Sequence, residues 1–203
     1  MSKIKDNSGV LIQGHIKIHD PESDKVFVDK RNAIHYENMS VALAESVANQ
    51  GQGFINSMSF GNGGTSVDPT GIITYLTPNS TGTNATLYNQ TYTKIVDDRS
   101  VSNLDPQRNK IETRHINGTN YTDVVVTCLL DYGEPNGQDA VDGASASDSL
   151  YVFDELGLVS YAPSGAGKLL THVIFHPVQK SLNRLIQIDY TVRVQSLTGF
   201  NEG

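Results

Sequence analysis

Alternating apolar and polar residues form the clearest pattern in this chain. From residue 186 to residue 195 every second position is apolar and the positions between are polar. A period of two lets an extended chain bury one face and expose the other, whereas a helix would place Ile186 and Ile188 on opposite sides. This stretch therefore predicts a β-strand. Its apolar members are Ile186, Ile188, Tyr190, Val192 and Val194.

Shorter stretches of strand character recur along the chain, separated by turns rich in Gly, Pro, Asn and Asp. A polar turn begins at Asp20, and Asn117 with Gly118 matches the twist of an antiparallel hairpin. Residues 124–130 are apolar on both faces, which predicts a central strand, and Pro177 is expected to end a strand because it lacks a backbone donor. The further predicted strands are residues 10–18, 26–28, 54–60, 72–76, 91–96, 110–116, 121–131, 151–161 and 169–176.

One segment, residues 32–49, predicts a helix because its apolar residues recur four apart. Asn38 or Ser40 is expected to cap its start, and Gly51 and Gly53 to follow its end. The helix is short and weakly amphipathic, so we expect it to pack as a lid on an edge or end of a sheet. The whole pattern predicts a mainly β fold, an antiparallel β-sandwich or barrel of about ten strands with one short helix.

The chain shows no linker and no internal repeat, which predicts one large domain. Residues 1–9 are polar and are expected to form a flexible N-terminal arm, followed by a single β-sandwich domain over residues 10–203. Residues 77–90 and 133–149 are polar or rich in small residues and predict surface loops. Loops of this kind often carry contacts, so these two and the arm are the expected contact surfaces.

Composition narrows the classes of function. The 203 residues carry a net charge of −7, and such a surface repels phosphate backbones, so no direct nucleic-acid binding is expected. No stretch approaches the roughly 20 apolar residues that span a bilayer, so no membrane partner is expected. The N-terminus lacks the apolar run of a signal peptide. The single cysteine, Cys128, is in register with apolar neighbours and is expected to be a buried, unreactive side chain.

Two glycine-rich turns are candidate anion-binding loops. Residues 163–168 lack the leading glycine and the final Ser or Thr of a phosphate loop, since Ala162 and Leu169 stand there, so we interpret them as a hairpin loop. Residues 60–65, Phe-Gly-Asn-Gly-Gly-Thr, could direct backbone N–H groups at an anion. Their more ordinary interpretation is a tight exit from a strand.

Histidine pairs offer a second candidate chemistry. His15 and His19 are four residues apart, as are His172 and His176. On a strand that spacing spans about 13 Å, whereas zinc holds nitrogen ligands at about 2 Å. Neither pair alone can therefore share an ion, although symmetry-related chains could bring histidines together. A structural or solvent-facing role is expected for them.

Adjacent carboxylates offer a third candidate chemistry. Asp97–Asp98 and Asp154–Glu155 are acidic pairs such as glycosidases use, but neighbouring strand residues point to opposite faces, so neither pair is expected to converge. The acidic loop at residues 139–148 lacks the calcium-loop pattern. The sequence thus predicts no catalytic, cofactor-binding or metal-binding residue, and a protein that is not an enzyme.

Three stretches resemble uncharacterised virion structural proteins of tailed bacteriophages. They are residues 30–40 (KRNAIHYENMS), 58–65 (MSFGNGGT) and 170–183 (LTHVIFHPVQKSLN). The likeness runs across most of the chain, and the FGNGGT turn is similar to a recurring element of phage tail and head accessory proteins. None of these motifs has a catalytic meaning. The resemblance implies a β-rich subunit that assembles in many copies, without deciding between head, neck, tail and baseplate.

The expected function is therefore that of a non-enzymatic structural subunit of a tailed-phage particle, in a neck, collar or tail accessory position. Its expected partners are copies of itself and other virion structural proteins, and its expected location is the virion, after synthesis in the host cytoplasm. Capsid decoration is the alternative position. A carbohydrate- or receptor-binding β-sandwich module is an alternative of another class, with Tyr75, Tyr88 and Tyr92 as its aromatic residues. A hydrolase would depend on a pocket around Asp97 or Asp98.

Overall fold

The computed structural model describes residues 8–135 and 150–198. In these ranges the protein has eleven strands and one helix, and strands make up 51% of the structure, which confirms the predicted mainly β class. The strands are β1 (Ser8–His19), β2 (Val26–Ile34), β3 (Ile55–Gly61), β4 (Thr65–Val67), β5 (Ile73–Tyr75), β6 (Gln90–Ile95), β7 (Lys110–His115), β8 (Tyr121–Leu130), β9 (Leu150–Ser160), β10 (Thr171–Ser181) and β11 (Ile186–Thr198), and the helix is α1 (Tyr36–Val47).

Nine strands form one large curled antiparallel sheet in the order β6-β3-β9-β10-β2-β1-β11-β8-β7, while β4 and β5 form a separate hairpin. The sheet is narrowest between β10 and β2, which share two residue pairs. At the far side of the sheet, edge strand β6 lies close to β8. The Lys94 ammonium of β6 donates to the Leu129 carbonyl of β8 at 2.7 Å. The curl encloses one apolar core that draws on both halves of the sheet.

The strand with the strongest alternation, β11, lies between β1 and β8. It pairs with β1 from Ser8–Thr198 to His19–Gln187. Its apolar residues face the core, and Ile188 is completely buried. Burial of each such aliphatic side chain contributes roughly 1.5–3 kcal/mol, which explains why the period of two predicted this element correctly.

The N-terminal boundary of the sheet differs from the prediction. β1 begins at Ser8, so Ser8 and Gly9, which were predicted to belong to a flexible arm, form part of the sheet. Residues 1–7 lie outside the described residues, as do residues 136–149 of the second predicted loop.

The helix starts later than predicted. Residues 32–34 extend β2, where Asn32 pairs with Gly14 of β1. The N-cap is His35, whose Nδ1 accepts the N–H of Asn38 at 3.2 Å. Asn38 is therefore not the cap but a buried residue of the first turn. Its side-chain amide donates to the Leu169 carbonyl at 2.9 Å, which ties the helix to the sheet.

The helix also ends earlier than predicted, at Val47 and not at residue 49. Its C-cap is Ala48, and Asn49 adopts the positive φ that often terminates a helix. Met39 and Ala42 pack into the core, so α1 covers an open part of the curled sheet, as a lid would.

Three strand predictions need correction. β10 continues through Pro177 because a bulge between Ile174 and Val178 leaves the proline outside the ladder. β8 is the second strand from one edge of the sheet and is not central, although Val125 and Leu129 on its outer face are still buried. β4 was not predicted as a strand, because three residues are too few to show a period.

Candidate functional site

The glycine-rich turn after β3 wraps across two buried carboxylates of β9. Its backbone amides bind them in sequence: the N–H of Gly63 donates to Glu155 Oε1 at 3.1 Å, and that of Gly64 to Asp154 Oδ1 at 2.9 Å. Both the N–H and the hydroxyl of Thr65 donate to Asp154 Oδ2. The turn thus has the anion-binding geometry that the sequence offered only as the less ordinary interpretation, and the protein's own carboxylates fill it.

Glu155 also holds the long loop before β6. The N–H of Asn89 donates to Oε1 at 2.8 Å, and the N–H of Tyr88 donates to Oε2 at 3.0 Å. His172 Nε2 lies 2.9 Å from Oε2. With Gly63, the carboxylate receives four hydrogen bonds, which fills the roughly four acceptor positions that a carboxylate offers.

His172 connects the carboxylate to a further point of the same loop. Its Nδ1 accepts the N–H of Asn79 at 2.8 Å, so Nε2 carries the proton and donates to Glu155. Both side chains are completely buried. We call Asp154, Glu155 and His172 the carboxylate clamp, because together they hold the turn at residues 61–65 and the loop at residues 77–90.

The electrostatics of the clamp follow from its hydrogen bonds. Burial alone raises the pKa of the Glu155 carboxyl, but hydrogen bonds from His172, Asn89, Tyr88 and Gly63 more than offset it, so the pKa lies below its ordinary value. A buried charge is expensive unless its polar atoms find partners, and this carboxylate accepts four hydrogen bonds. Glu155 is therefore ionised and saturated by internal donors.

Close approach to the clamp explains two glycines of the turn. A Cβ on Gly61 would lie 2.5 Å from both Glu155 Oε1 and the Asn89 carbonyl oxygen, and one on Gly63 would lie 2.7 Å from the Asn89 nitrogen. Real Cβ atoms do not approach other atoms so closely, so glycine is required here for proximity.

The carboxylate clamp holds the β4–β5 hairpin and the loop before β6, and each of these segments has an exposed tyrosine. Tyr75 of β5 is 50% exposed, and its hydroxyl lies 3.2 Å from His176 Nδ1. Tyr88 is also exposed, and its hydroxyl donates to the Thr77 carbonyl at 2.7 Å. Tyr92, which was predicted to be exposed near this loop, is instead buried against Phe60.

The acidic pair Asp154–Glu155 converges on one turn, which contradicts the sequence expectation. β3 ends at Gly61, opposite Glu155, and the turn that follows binds both side chains beside the register shift in the β9–β10 ladder. The sequence shows His172 as one of a histidine pair and the glycine turn as a separate candidate. Only the folded structure brings them together, near the bulge at Pro177.

The other predicted candidates remain apart from one another. His15 lies 2.8 Å from Asp29, and His19 lies 3.0 Å from Asp189, so these histidines have different partners. Asp97 is buried and accepts hydrogen bonds from the backbone and side chain of Arg99. Over residues 8–135 and 150–198, no three His, Cys, Asp or Glu side chains are grouped so as to hold a metal ion.

Two remaining sequence interpretations are borne out. Residues 163–168 form the loop between β9 and β10, where Gly165 has a positive φ and donates to the Ala162 carbonyl. Cys128 is completely buried. Burial raises the pKa of its thiol to about 12, so the thiolate is not formed near neutral pH.

A second buried cluster, of opposite sign, lies at the start of the loop after β8. The Lys180 ammonium donates to the carbonyls of Asp131, Glu134 and Ser181 at 2.8–3.0 Å. Lys94 pairs with the Glu134 carboxylate. Burial lowers the pKa of Lys180 to about 8. We call Lys94, Lys180 and Glu134 the lysine clamp.

An apolar crevice opens between α1 and the sheet, away from both clamps. Its volume is about 210 Å³, and Arg99 is its only charged lining residue. We call it the α1 crevice. Its main apolar lining residues are Met39, Leu43, Phe54, Ile111, Val124 and Val192.

Comparisons with known proteins identify no relative. No protein-family model matches the chain, and neither a curated protein nor a solved structure matches it significantly. Among the described residues, α1 is too short to cross a membrane. The fold and site thus define a mainly β protein with one large curled antiparallel sheet and a loop-holding cluster of buried charge.

Proposed function

We propose that this chain is a non-enzymatic structural subunit of a tailed-phage particle that assembles in multiple copies in the neck, collar or tail. The resemblance of residues 30–40, 58–65 and 170–183 to phage virion proteins supports the class. One of these stretches supplies His172 of the carboxylate clamp, and another supplies the turn at residues 63–65 that the clamp holds. The motifs that carry the resemblance therefore stabilise the surface loops of the fold.

The single observation that carries the proposal is the use of the carboxylate clamp. Asp154, Glu155 and His172 are buried, and they hold loops with their polar atoms. A general acid or base must reach a substrate proton directly or through one water. These side chains instead fix the position of an exposed hairpin and Tyr88, which is an arrangement suited to binding a neighbouring protein.

Immunogold electron microscopy on purified particles of the phage that encodes the chain tests this function. Label confined to the vertex below the head, or to the tail, supports the neck, collar or tail position. Label over the head facets supports capsid decoration and replaces that position. Particles without label, and without a band at 22.1 kDa on a gel, exclude a virion component.

Tyr75 and Tyr88 favour a second candidate, a carbohydrate- or receptor-binding module. Both rings are exposed and both hydroxyls are hydrogen-bonded, so the rings are held in place before any ligand arrives. Saturable binding of the isolated chain on a glycan array, lost in Tyr88→Ala and retained in Tyr36→Ala, would support it. Tyr36 is a matched control because it is an exposed tyrosine at the start of α1.

A further inference from the structure

The β4–β5 hairpin and its flanking residues expose several large apolar side chains. Its six residues form three cross-strand pairs, Thr65–Tyr75, Ser66–Thr74 and Val67–Ile73. At its tip Ile72 is 63% exposed, and Val67, Tyr75 and Leu76 are exposed as well. A two-stranded hairpin is marginally stable on its own in water, and packing against another surface completes such an element. We call Val67, Ile72, Tyr75 and Leu76 the hairpin surface.

The surroundings of the hairpin surface have the composition of a protein–protein contact. Between Glu45 and Lys94 the only charged residue is Asp68, in a chain of which 18% is charged. The Asp68 carboxylate binds the turn itself, accepting the N–H groups of Thr70 and Ile72. Interface cores are depleted of charge and enriched in aromatic residues, and this segment has a single charged residue and contains exposed tyrosines.

The hairpin is fixed before any partner arrives. Asp154 binds both Gly64 and Thr65 where β4 begins, and the N–H of Leu76 donates to the Gly64 carbonyl at 2.9 Å where β5 ends. A preorganised element loses little conformational freedom on docking, so more of the contact free energy appears as affinity.

The α1 crevice offers a complementary surface on the same chain. It is apolar, and its volume of about 210 Å³ exceeds the roughly 150 Å³ of an apolar cavity that holds benzene. It can therefore accept an aliphatic side chain such as Ile72. The crevice and the hairpin surface share no residue, so both are open on one copy at the same time.

We infer that the hairpin surface of one copy docks in the α1 crevice of a second copy of this chain. The contact is heterologous, because two different surfaces meet, and its repetition builds a ring or a filament. This inference rests on the proposed function as a multi-copy subunit, and it names the surfaces that such copies use. The hairpin turn carries one charged residue, Asp68, and the crevice lining carries one, Arg99, and their opposite signs make the two surfaces complementary in charge.

Cysteine cross-linking between separately made variants of the full chain tests the contact. Ile72→Cys places a thiol at the hairpin tip, and Ser46→Cys places one at the exposed rim of the crevice. Cys128 stays silent because it is buried and its thiol pKa is about 12. One variant carries a tag, so that a mixed dimer is distinguished by size on a non-reducing gel after mild oxidation.

The expected result is a mixed Ile72→Cys/Ser46→Cys dimer several-fold above either homodimer. A mixture of Val101→Cys with Ser46→Cys is the matched control, since Val101 is fully exposed in another loop. The double variant Ile72→Cys/Ser46→Cys in one chain is expected to give a ladder of multimers, because each copy then has both halves of the contact.

Three outcomes overturn the inference. Equal yields for the test and control mixtures indicate collisions only. A dominant Ile72→Cys homodimer indicates a two-fold contact between hairpins. A Ser46→Cys thiol that forms no cross-link and resists a thiol reagent in the isolated chain indicates that another segment of the same chain covers the crevice. The gold-labelling result is independent, so a labelled particle with no specific cross-link rejects this contact and leaves the proposed function in place.

Discussion

The carboxylate clamp and the lysine clamp bury opposite charges for the same purpose. In the first, Glu155 accepts three backbone N–H groups and one imidazole N–H. In the second, Lys180 donates to three backbone carbonyls. Each fixes a loop next to a strand end, since a buried charge demands partners and an irregular backbone has unpaired donors or acceptors to supply them.

The difference between the clamps lies in how firmly each charge is held. Hydrogen bonds to Glu155 outweigh its burial and keep its pKa below the ordinary value, so the charge is stabilised in the fold. For Lys180 burial outweighs its neighbours and lowers the pKa to about 8, so the charge is held at a cost. The comparison teaches that four hydrogen bonds stabilise one buried ion, whereas three leave the other at a cost.

Removal of the Glu155 carboxylate should give the largest effect. Glu155→Ala leaves the N–H groups of Gly63, Tyr88 and Asn89 without their acceptor in a buried site. We expect the free energy of unfolding in urea to fall by about 3–5 kcal/mol. The half-exposed acid Glu112 of β7 is the matched control, and Glu112→Ala should lower the free energy of unfolding much less, because surface ion pairs contribute little. Similar losses in both variants would contradict the clamp.

Removal of the Lys180 charge should have a smaller effect. Lys180→Met keeps the volume and removes the unfavourable burial of the ammonium, while three carbonyls lose a donor. We expect a loss of about 1–3 kcal/mol in the same urea experiment. The pKa shifts favour the charged form of Glu155 and disfavour the charged form of Lys180. A loss equal to that of Glu155→Ala would contradict this difference between the clamps.

The two clamps should also differ in their pH dependence. Between about pH 8 and pH 10 the unfolded chain keeps the Lys180 proton while the folded chain loses it, so this group makes stability rise with pH. Glu155 acts at the acid end: its contribution is complete above about pH 4.3 and is lost as pH falls through its lower folded pKa.

The measurement is a set of urea titrations across pH. The difference in stability between the wild type and Lys180→Met should shift in favour of the wild type from about pH 8 to pH 10, and Glu155→Gln should flatten the acid limb only. A difference curve for Lys180→Met that is flat over the alkaline range would contradict the assigned cause of its pKa.

Loss of a hydroxyl at the exposed end should have the smallest effect. Tyr75→Phe removes only the contact with His176, which water can replace. We expect the unfolding free energy to change by less than about 0.5 kcal/mol. Thermal unfolding followed by circular dichroism checks this, and a larger change would place Tyr75 in the loop-holding cluster with Glu155.

Much of the fold could be predicted from local pattern. The alternation over residues 186–195 and the Asn117–Gly118 turn correctly gave β11 and the β7–β8 hairpin, because both depend on neighbours in sequence. The start of α1 could not be predicted in this way. Asn32 pairs with β1, and Ala33 and Ile34 pair with β10, and this pairing overrides the helical spacing.

The candidate site was the least predictable part. Asp154, Glu155 and His172 come from two strands, and the glycine turn comes from a third. They converge next to the bulge between Ile174 and Val178, and Pro177, the one proline of β10, does not by itself specify that bulge. The glycine motif itself is visible in the sequence, but the Glu155 carboxylate that it binds lies more than 90 residues away in the chain.

The position of β11 between β1 and β8 has a consequence for the order of folding during synthesis. The ribosome delivers β1 first and β11 last of the described strands, so β1 and β8 wait with unpaired edges until β11 emerges. Long-range pairing of this kind is slow and leaves strands open to wrong partners in the meantime. A nascent chain stalled before Ile186 should therefore depend on chaperones, and its release should coincide with closure of the sheet.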